Sequence, residues 1–388
     1  MNHLHTLARS LDLVPGGPRW TLLHRGGEAT PMHQAILERL ARSRSRGSFA
    51  RFDGWGRPSL RSHLGALRRG RLARGLSAQI ARLRIDALYP LHFAPPWELP
   101  VPWAAWIPDF QHCVLPEHFS DEERTARDRR FIDMLERAPV TVVSSEASKQ
   151  DGIRAYGEIA RSLEVLPFAS LNDALWSADD QTAALDRLGV PKRFLLFPSQ
   201  AWPHKGHATL AAALAKVPEA RLVASGFRPD DPRLGARARE AFESAKVAER
   251  VAMLGLIPRG DLAALLRSAA AVVQPSTFEG WSYLVEDAIA AGRPLVLSDL
   301  PVHREQRPET CVPVEWFEPG SVDGLAEAIA RAWHAKAPRH DPQQEAQGRA
   351  NAESRGRACG EKLVRILGAA SARSSSNPSG IRSEGRAP

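Results

Sequence analysis

The sequence predicts an α/β fold built from two doubly wound domains that face a cleft. The chain has 388 residues, more than one typical domain core holds. From residue 194 onward, short apolar runs alternate with segments of helical pattern, and the first half repeats this alternation less regularly. Such alternation is typical of βα units around a parallel sheet. Because ligands of doubly wound sheets bind beyond the carboxyl ends of the strands, we expect the binding site in the cleft.

Short apolar runs predict the strands of both halves. In the first half they lie at 20–23, 87–93, 103–107, 140–144 and 163–166. In the second half they lie at 194–197, 220–224, 251–254, 271–274 and 294–297. Segments of helical pattern at 206–217, 232–247 and 259–268 separate the strands of the second half. The opening segment, 1–11, also has a helical pattern.

Composition places the domain boundaries. Residues 170–186 are polar and acidic without a strand pattern, so a hinge is expected near 170–192. We predict an N-terminal domain over 1–175 and a C-terminal domain over 186–368. Residues 369–388 are rich in Ser, Arg, Pro and Gly, which predicts a disordered tail.

Composition also excludes several classes of protein. Hydrophobic residues make up 43% and charged residues 25%, as in globular domains. No run approaches the roughly 20 apolar residues of a membrane span, and no secretory signal pattern is present, so a cytoplasmic location is expected. The three cysteines, Cys113, Cys311 and Cys359, lack paired spacing, which predicts reduced thiols and no metal site. Asp230 and Asp231 are not expected to bind metal, because adjacent carboxylates point apart in an extended chain.

Positive charge is concentrated in the first half. The formal net charge is +8, and the arginine-rich region, 39–84, contains thirteen arginines and one acidic residue, Asp53. Such a field attracts phosphates, so contact with an anionic membrane surface or polyanion is expected, the alternative being a solvated basic surface. Nucleic-acid binding is not expected, because no helix-turn-helix, zinc or RNA-binding signature accompanies the charge.

The segment 275–299 carries the most informative pattern. A predicted strand ends near Pro275, a loop contains Glu279 and Gly280, and a helix follows before the next strand. This arrangement places a carboxylate, which can accept bonds from sugar hydroxyls, beside backbone N–H groups that can bind phosphate. As an exposed carboxylate, Glu279 is expected to contribute little to stability. Ordinary βαβ packing with a solvated acid is the alternative interpretation.

This segment resembles the donor-binding motif of retaining GT-B glycosyltransferases of the group 1, or family 4, type. In that motif a glutamate, seven intervening residues and a second acid precede an Ala-rich helix and a glycine. Glu279 is the first acid, and Asp287, one methylene shorter than glutamate, takes the second position. The resemblance implies that Glu279 contacts the donor sugar and Asp287 the ribose hydroxyls. Glu286 is the alternative for the ribose, although one helical position rotates a side chain by about 100°.

The resemblance implies further donor contacts in two loops. Gly280, Trp281 and Ser282 continue the loop of Glu279 and are candidate substrate-binding residues. In the segment 196–207, Lys205 takes the position of a lysine that binds the donor pyrophosphate. Gln200 stands where many members have arginine, and its amide can still donate. A cation here would neutralise the leaving diphosphate, with His204 or Arg293 as supplements.

Matches in the first half imply an acceptor side. The segment 101–120 is similar to a loop that faces the donor sugar, and it implies that Asp109 and His112 contact the sugar or the acceptor as candidate catalytic residues. The segment 140–150 resembles a strand and helix of the family, with Ser144, Ser145 and Lys149 at its edge. Members of this type normally begin with a strand and a glycine-rich loop, so the first strand is expected to be missing, through truncation or a degenerate first unit.

The resemblance thus implies a metal-independent, hexosyltransferase-like glycosyltransferase that acts with retention. Its expected partners are a nucleotide-sugar donor and a glycan, lipid-linked or polymeric acceptor, with no separate cofactor and no metal. The expected location is the cytoplasm, at the periphery of a membrane if the arginine-rich region binds one. Two alternatives stay open: a nucleotide-sugar epimerase or phosphorylase on the same architecture, and a non-catalytic GT-B-like partner, which Gln200, Asp287 and the missing strand favour.

Overall fold

The structure is a computed structural model that describes residues 2–24, 47–51, 64–176, 181–227, 234–307, 312–335 and 341–376. It divides the chain into two compact units. Unit 1 comprises Met1–Ser144, Ser148–Pro167 and Arg357–Pro388. Unit 2 comprises Ser145–Ala147 and Phe168–Gly356.

Unit 1 contains two parallel sheets and the helices around them. Its strands are β1 (Trp20–His24), β2 (Gly47–Arg51), β3 (Leu88–Leu91), β4 (Trp103–Trp106), β5 (Val140–Val143) and β6 (Glu164–Val165). Its helices are α1 (Asn2–Asp12), α2 (Leu64–Leu83), α3 (Gln111–Val114), α4 (Asp121–Arg137) and, apart from its first two residues, α5 (Glu146–Tyr156). β1 pairs with β2, and β3 to β6 form a second sheet in sequence order.

Helix α4 shows how local sequence positions the core of unit 1. Ser120 accepts a hydrogen bond from the Glu123 backbone N–H, and the Glu123 side chain accepts from the Ser120 N–H, a reciprocal capping box that begins the helix. Phe131, Met134 and Leu135 are buried and lie on one face, since they are spaced at helical intervals. This face packs in the hydrophobic core that also contains residues of β3 and β4.

Unit 2 contains one six-stranded sheet. Its strands are β7 (Leu195–Pro198), β8 (Leu222–Ser225), β9 (Val251–Gly255), β10 (Ala271–Gln274), β11 (Leu295–Ser298) and β12 (Val314–Phe317). Its helices are α6 (Gln181–Leu188), α7 (His207–Ala215), α8 (Leu234–Ser244), α9 (Arg259–Ser268), α10 (Tyr283–Ala290), α11 (Pro301–Gln306), α12 (Val322–His334) and α13 (Pro342–Ser376). α13 begins in unit 2 and ends in unit 1.

The strands of unit 2 are parallel and follow the order β12-β11-β10-β7-β8-β9. Counted from β9, with β7 as the first strand of the unit, this is the doubly wound order 3-2-1-4-5-6. The strand order reverses between the neighbours β7 and β10, where Leu196 pairs with Val272. The loops that leave these two strands therefore start side by side at the carboxyl edge of the sheet.

The alternation of side chains along β7 explains why helices cover both faces of this sheet. Leu195 and Phe197 belong to a core cluster that contains residues of α7 and α12, whereas Phe194 and Leu196 belong to a second cluster with residues of α9 and α10. All four side chains are buried. Because successive side chains of a strand point to opposite faces, each face of the sheet requires its own layer of helices.

The observed elements confirm the α/β class and extend the predicted pattern. Each strand predicted from the sequence overlaps an observed one, and β2 and β12 were not predicted. α13 continues to Ser376, so residues 369–376 of the predicted disordered tail are helical; residues 377–388 lie outside the described residues. Of the arginine-rich region, the structure describes only 47–51 and 64–84. Asp230 and Asp231 also lie outside it.

Candidate functional site

The candidate site lies where the loops after β7 and β10 meet. The Thr277 N–H donates to the carbonyl of His204 over 2.8 Å, which ties one loop to the other. Gly206 has φ 76°, and a Cβ on it would lie 2.3 Å from the carbonyl oxygen of Pro275. Glycine is therefore required at this position both by its left-handed backbone and by the close approach of the second loop.

A buried ion pair joins the two loops. The Lys205 Nζ atom lies 2.6 Å from Glu279 Oε1, and the two side chains are 20% and 7% exposed. The same oxygen accepts hydrogen bonds from Gln274 Nε2 at 2.5 Å and from Ser276 Oγ at 2.7 Å. The hydrogen bonds that described residues donate to Glu279 thus converge on Oε1. This arrangement fixes the orientation of the carboxylate.

Opposing effects set the pKa of Glu279. Burial raises this pKa, but the charge and hydrogen bond of Lys205, together with His303 and the Ser276 hydroxyl, hold it below its ordinary value. Glu279 is therefore a carboxylate at neutral pH and can accept hydrogen bonds. The expectation of an exposed carboxylate was wrong, because the side chain is enclosed by these partners.

A second layer of buried polar groups supports the loop of Glu279. The Ser298 hydroxyl donates to the carbonyl of Ser276 over 2.6 Å, and His303 Nδ1 donates to the carbonyl of Ser298 over 2.8 Å. Burial lowers the pKa of His303, which keeps its ring neutral. Four residues of this network were not predicted from the sequence: Gln274, Ser276, Ser298 and His303. A usable signal was present, since Gln274 and Ser298 are polar residues that end buried strands.

Asp287 lies on α10, about one turn after the helix begins at Tyr283. Its Oδ1 atom accepts a hydrogen bond from the Ser170 hydroxyl. Asp287 is partly exposed, whereas the preceding residue, Glu286, is 1% exposed. The two acids thus occupy different faces of the helix, as the rotation of about 100° per residue requires.

Residues 184–349 match the family described as Glycosyl transferases group 1. This segment belongs to the group 1 glycosyltransferases. The match includes the loops that carry Lys205 and Glu279, and thus the ion pair between them. No curated protein matches the sequence.

Solved structures show that the chain has the GT-B fold, as predicted. A glycosyltransferase from Rickettsia africae ESF-5 is 14% identical, with a TM-score of 0.67 over 95% of this chain and 94% of that chain. Sucrose-phosphate synthase from Thermosynechococcus elongatus is 18% identical, with a TM-score of 0.62 over 91% and 99%. HepE from Anabaena, in complex with UDP and glucose, is 18% identical, with a TM-score of 0.60 over 96% and 95%.

Glu286 has a structural role in this glycosyltransferase domain. Arg355 binds it through both guanidinium nitrogens, at 2.8 and 2.9 Å, and Gln306 Nε2 donates to it over 3.0 Å. Burial raises the pKa of Glu286, while Arg355 acts in the opposite direction. The alternative assignment of Glu286 to the ribose was therefore wrong, because both of its oxygens are occupied inside the protein.

Three residues of the predicted donor loop form hydrogen bonds within unit 2. The carbonyl of Gly280 accepts from the Ser145 hydroxyl over 2.9 Å, and the Trp281 indole N–H donates to the carbonyl of Phe168 over 3.0 Å. Ser282 is the N-cap of α10, where its hydroxyl accepts from a backbone N–H. These contacts show that Gly280, Trp281 and Ser282 hold the loop in place. Their assignment to substrate binding stays a prediction.

Arg293 and Gln200, which were expected to bind the diphosphate together with Lys205, lie at opposite edges of the sheet. Arg293 is 1% exposed and donates to the carbonyl of Ala269 over 2.6 Å. It precedes β11 and thus lies at the amino edge of the sheet, so it cannot supplement the charge at the carboxyl edge. Gln200 is in the loop after β7, and its Oε1 accepts from the Trp202 indole over 2.8 Å. That bond leaves the amide nitrogen of Gln200 as the group that can donate to a ligand.

Unit 1 contains the predicted pair Asp109 and His112. Asp109 Oδ1 accepts from the Gln111 N–H over 3.0 Å at the start of α3. His112 is buried, and its Nε2 lies 3.1 Å from Asp128 Oδ1 and 3.0 Å from the Tyr156 hydroxyl. Burial lowers the pKa of His112 against the opposing effect of Asp128. The Nε2 atom of His112 is thus held in a network within unit 1. The contact of His112 with the sugar or the acceptor stays a prediction.

This network in unit 1 is also the group of described residues that could hold a metal ion. The ligating atoms of His112, Cys113 and Asp128 lie within 4.8 Å of one another. Cys113 Sγ is 3.4 Å from His112 Nε2, and burial raises the pKa of the thiol. Ser144, also in unit 1, accepts from the Trp106 indole.

In the part of the chain that the structure describes, none of the helices combines the length and apolar character needed to cross a membrane.

Proposed function

We propose that the chain transfers a glycosyl group from a nucleotide sugar to an acceptor oxygen, with retention of the anomeric configuration. The observation that carries this proposal is the ion pair of Lys205 and Glu279 at the point where the strand order of unit 2 reverses. Ligands of doubly wound sheets bind at this point. The HepE structures, which hold UDP or UDP-glucose, support a nucleotide-sugar donor.

The charges of the pair match the two parts of such a donor. A nucleotide sugar carries a diphosphate, which requires a cation, and a sugar, whose hydroxyls require hydrogen-bond acceptors. Lys205 supplies the cation in the loop after β7. Glu279 supplies a carboxylate whose pKa lies below its ordinary value, so it accepts bonds from sugar hydroxyls rather than donating a proton. Asp287 binds the ribose hydroxyls.

The proposed reaction exchanges one bond at the anomeric carbon for another. The bond from this carbon to the diphosphate oxygen breaks, and a bond to the acceptor oxygen forms on the same face. The acceptor hydroxyl passes its proton to the departing diphosphate oxygen, and the nucleoside diphosphate leaves. Lys205 stabilises the negative charge that develops on the diphosphate, in a metal-independent transfer. Because Oε1 of Glu279 is fixed by three donors, its carboxylate does not have to reorganise during the reaction.

We propose a glycan, lipid-linked or polymeric acceptor and peripheral contact with an anionic membrane surface in the cytoplasm. Helix α2 supports this contact, because Leu76 and Ile80 are buried whereas Arg74 and Arg82 are exposed. Each basic side chain near an anionic leaflet contributes about 1 kcal/mol, and salt weakens the attraction. We expect sedimentation with anionic vesicles at low salt and release at high salt. No sedimentation at low salt would leave only a solvated basic surface.

Donor turnover tests the proposed activity. UDP-, GDP-, ADP- and dTDP-sugars are first screened by thermal shift, and those that bind are then incubated with the enzyme and candidate acceptors. Transfer yields a glycosylated acceptor with the anomeric configuration of the donor, measured by NMR. Release of free sugar without an acceptor still indicates an enzyme, whereas an altered nucleotide sugar indicates an epimerase. Binding without turnover of any donor would support the non-catalytic alternative.

A further inference from the structure

The long part of unit 2, Phe168–Gly356, begins with five buried residues that lie in no helix or strand. This entry segment comprises residues 168–172 and follows β6 of unit 1 along the chain. Each of its residues is at most 3% exposed, although two of them, Ser170 and Asn172, are polar. Buried polar side chains are costly without partners, so their contacts indicate what the segment holds in place.

The first part of the entry segment follows helix α10. The Phe168 ring lies 4.5 Å from the Tyr283 ring between centroids, and its carbonyl accepts from the Trp281 indole over 3.0 Å. Two residues later, the Ser170 hydroxyl donates to Asp287 Oδ1. Two residues span at most about 7 Å, and the four helical residues from Tyr283 to Asp287 rise about 6 Å. The segment therefore contacts successive turns of the same helix face.

The end of the entry segment is anchored independently. Asn172 Oδ1 accepts a hydrogen bond from Arg259 Nε, over 3.1 Å, at the start of α9. Leu171 lies against α13, where a Cβ on Gly356 would be 2.8 Å from its side chain. Ser170 is thus held between a contact to α10 on one side and contacts to α9 and α13 on the other. Its hydroxyl has little freedom to move.

We propose that Ser170 is a positioning residue for nucleotide recognition, which orients the Asp287 carboxylate toward the ribose hydroxyls of the donor. This inference rests on the proposed function. A carboxylate rotates about its last bond unless a partner holds it, and a fixed acceptor binds a hydroxyl pair at a smaller entropic cost. Ser170 supplies that partner from a segment whose own position is set by three helices.

The experiment compares ribose and deoxyribose forms of one nucleotide. Isothermal titration calorimetry measures the Kd values of UDP, GDP, ADP and CDP with the full chain, and then the 2′-deoxy form of the tightest binder. The variants are Ser170→Ala, Ser170→Thr, which keeps the hydroxyl, and Asp287→Ala. Ser268→Ala is the matched control, because this buried serine ends α9 at the amino edge of the sheet. Circular dichroism confirms that each variant is folded.

We expect the native protein to bind the ribonucleotide more tightly than its 2′-deoxy form. Ser170→Ala should weaken ribonucleotide binding about 5-fold and reduce the preference for ribose, because the carboxylate loses a charge-assisted bond. Ser170→Thr and Ser268→Ala should retain the native ratio, and Asp287→Ala should abolish it. A purely structural role of Ser170 would change stability without changing this ratio.

The opposing outcomes separate this inference from the proposed function. If Ser170→Ala keeps the native ratio while Asp287→Ala abolishes it, Ser170 does not position the carboxylate, and the proposed function stands. If the native protein binds nucleotide without preferring ribose, the role of Asp287 is overturned together with that of Ser170. If no nucleoside diphosphate binds, the proposed function itself fails. If Ser170→Ala unfolds the chain, Ser170→Cys, which replaces the hydroxyl with a weaker donor, decides by the same ratio.

Discussion

Two buried glutamates of unit 2, seven positions apart, differ in their partners and in the direction of their pKa shifts. Glu279, in the loop after β10, pairs with Lys205, and its pKa lies below the ordinary value. Glu286, on α10, pairs with Arg355, and burial raises its pKa above the ordinary value. Both side chains are at most 7% exposed and both have a cation within 3 Å.

The comparison of these two ion pairs shows that burial and pairing alone do not identify a binding site. The bonds to Glu279 converge on one oxygen, and the loop that carries it starts at the carboxyl edge of the sheet. Both oxygens of Glu286 are bound by a single guanidinium that belongs to α13. We therefore assign Glu279 to the donor and Glu286 to the packing of α10 against α13. Variants of both pairs test this division.

The largest effect is expected from breaking the Glu286 pair. Glu286→Gln removes the buried charge that binds the partly exposed Arg355 guanidinium, and with it two charge-assisted hydrogen bonds, which should reduce the free energy of unfolding by about 3 kcal/mol. Urea denaturation measures this loss, with Glu327→Gln on an exposed surface as the control. The folded variant should bind donor with native affinity. A loss of donor affinity without a loss of stability would contradict the division.

Glu279→Gln should primarily impair turnover. The substitution keeps the shape of the side chain but removes the charge that the sugar hydroxyls and Lys205 require, so we expect a loss of about 10²–10³-fold in kcat. Because Glu279 is buried and paired, we also expect a measurable decrease in Tm. Glu315→Gln, on β12, is the control for loss of a carboxylate in the same sheet. Near-native turnover with every accepted donor would disprove the role of Glu279.

Lys205→Ala should weaken donor binding by about 10-fold and also lower turnover. The diphosphate gains negative charge as it leaves, so a missing cation affects the transition state more than the bound donor. Steady-state kinetics at subsaturating and saturating donor separate the two effects. Lys216→Ala is the control, since this lysine forms an exposed pair with Asp323. Unaltered kinetics would move the diphosphate site away from the loop after β7.

The smallest expected effect is a pair of opposite pH dependences. The stability that ionised Glu279 contributes is present above the unfolded pKa, about 4.3, and is lost as pH falls through its lowered folded pKa. For Glu286, whose folded pKa is raised, stability is lost as pH rises through the window above about 4.3.

Urea denaturation between pH 3.5 and 7 measures these dependences. As pH falls, the unfolding free energy of the native protein minus that of Glu279→Gln should decrease, and the corresponding difference for Glu286→Gln should increase. If both differences in unfolding free energy changed with pH in the same direction, the pKa values of Glu279 and Glu286 would not be shifted in opposite directions.

The secondary structure of this protein was largely predictable because it depends on local pattern. The bounds of the predicted strands differ from the observed ones by at most two residues. β12 was not predicted, although Val314, Trp316 and Phe317 are apolar and favour a strand. The disordered tail was predicted to start at residue 369, within α13, because the composition there is polar. The helix nevertheless continues, because it packs through a few spaced residues such as Ile366 and Ala370.

The local sequence was sufficient to predict which residues lie at the ends of strands. Lys205 and Glu279 each follow an apolar run, and their loops are fixed by local chemistry such as the left-handed Gly206. A period of two or 3.6 residues reports only on neighbours along the chain. The sequence could therefore predict a carboxylate and a cation at the edge of a sheet, but not that they touch.

Which of these side chains contact one another depends on the tertiary structure. The strand order places β7 beside β10, so Lys205 and Glu279 form a pair across 74 positions of sequence. The same folding brings Arg355 to Glu286 and Ser170 to Asp287, from 69 and 117 positions away. These contacts depend on how helices cover a sheet, which follows from the burial of both its faces rather than from any local pattern.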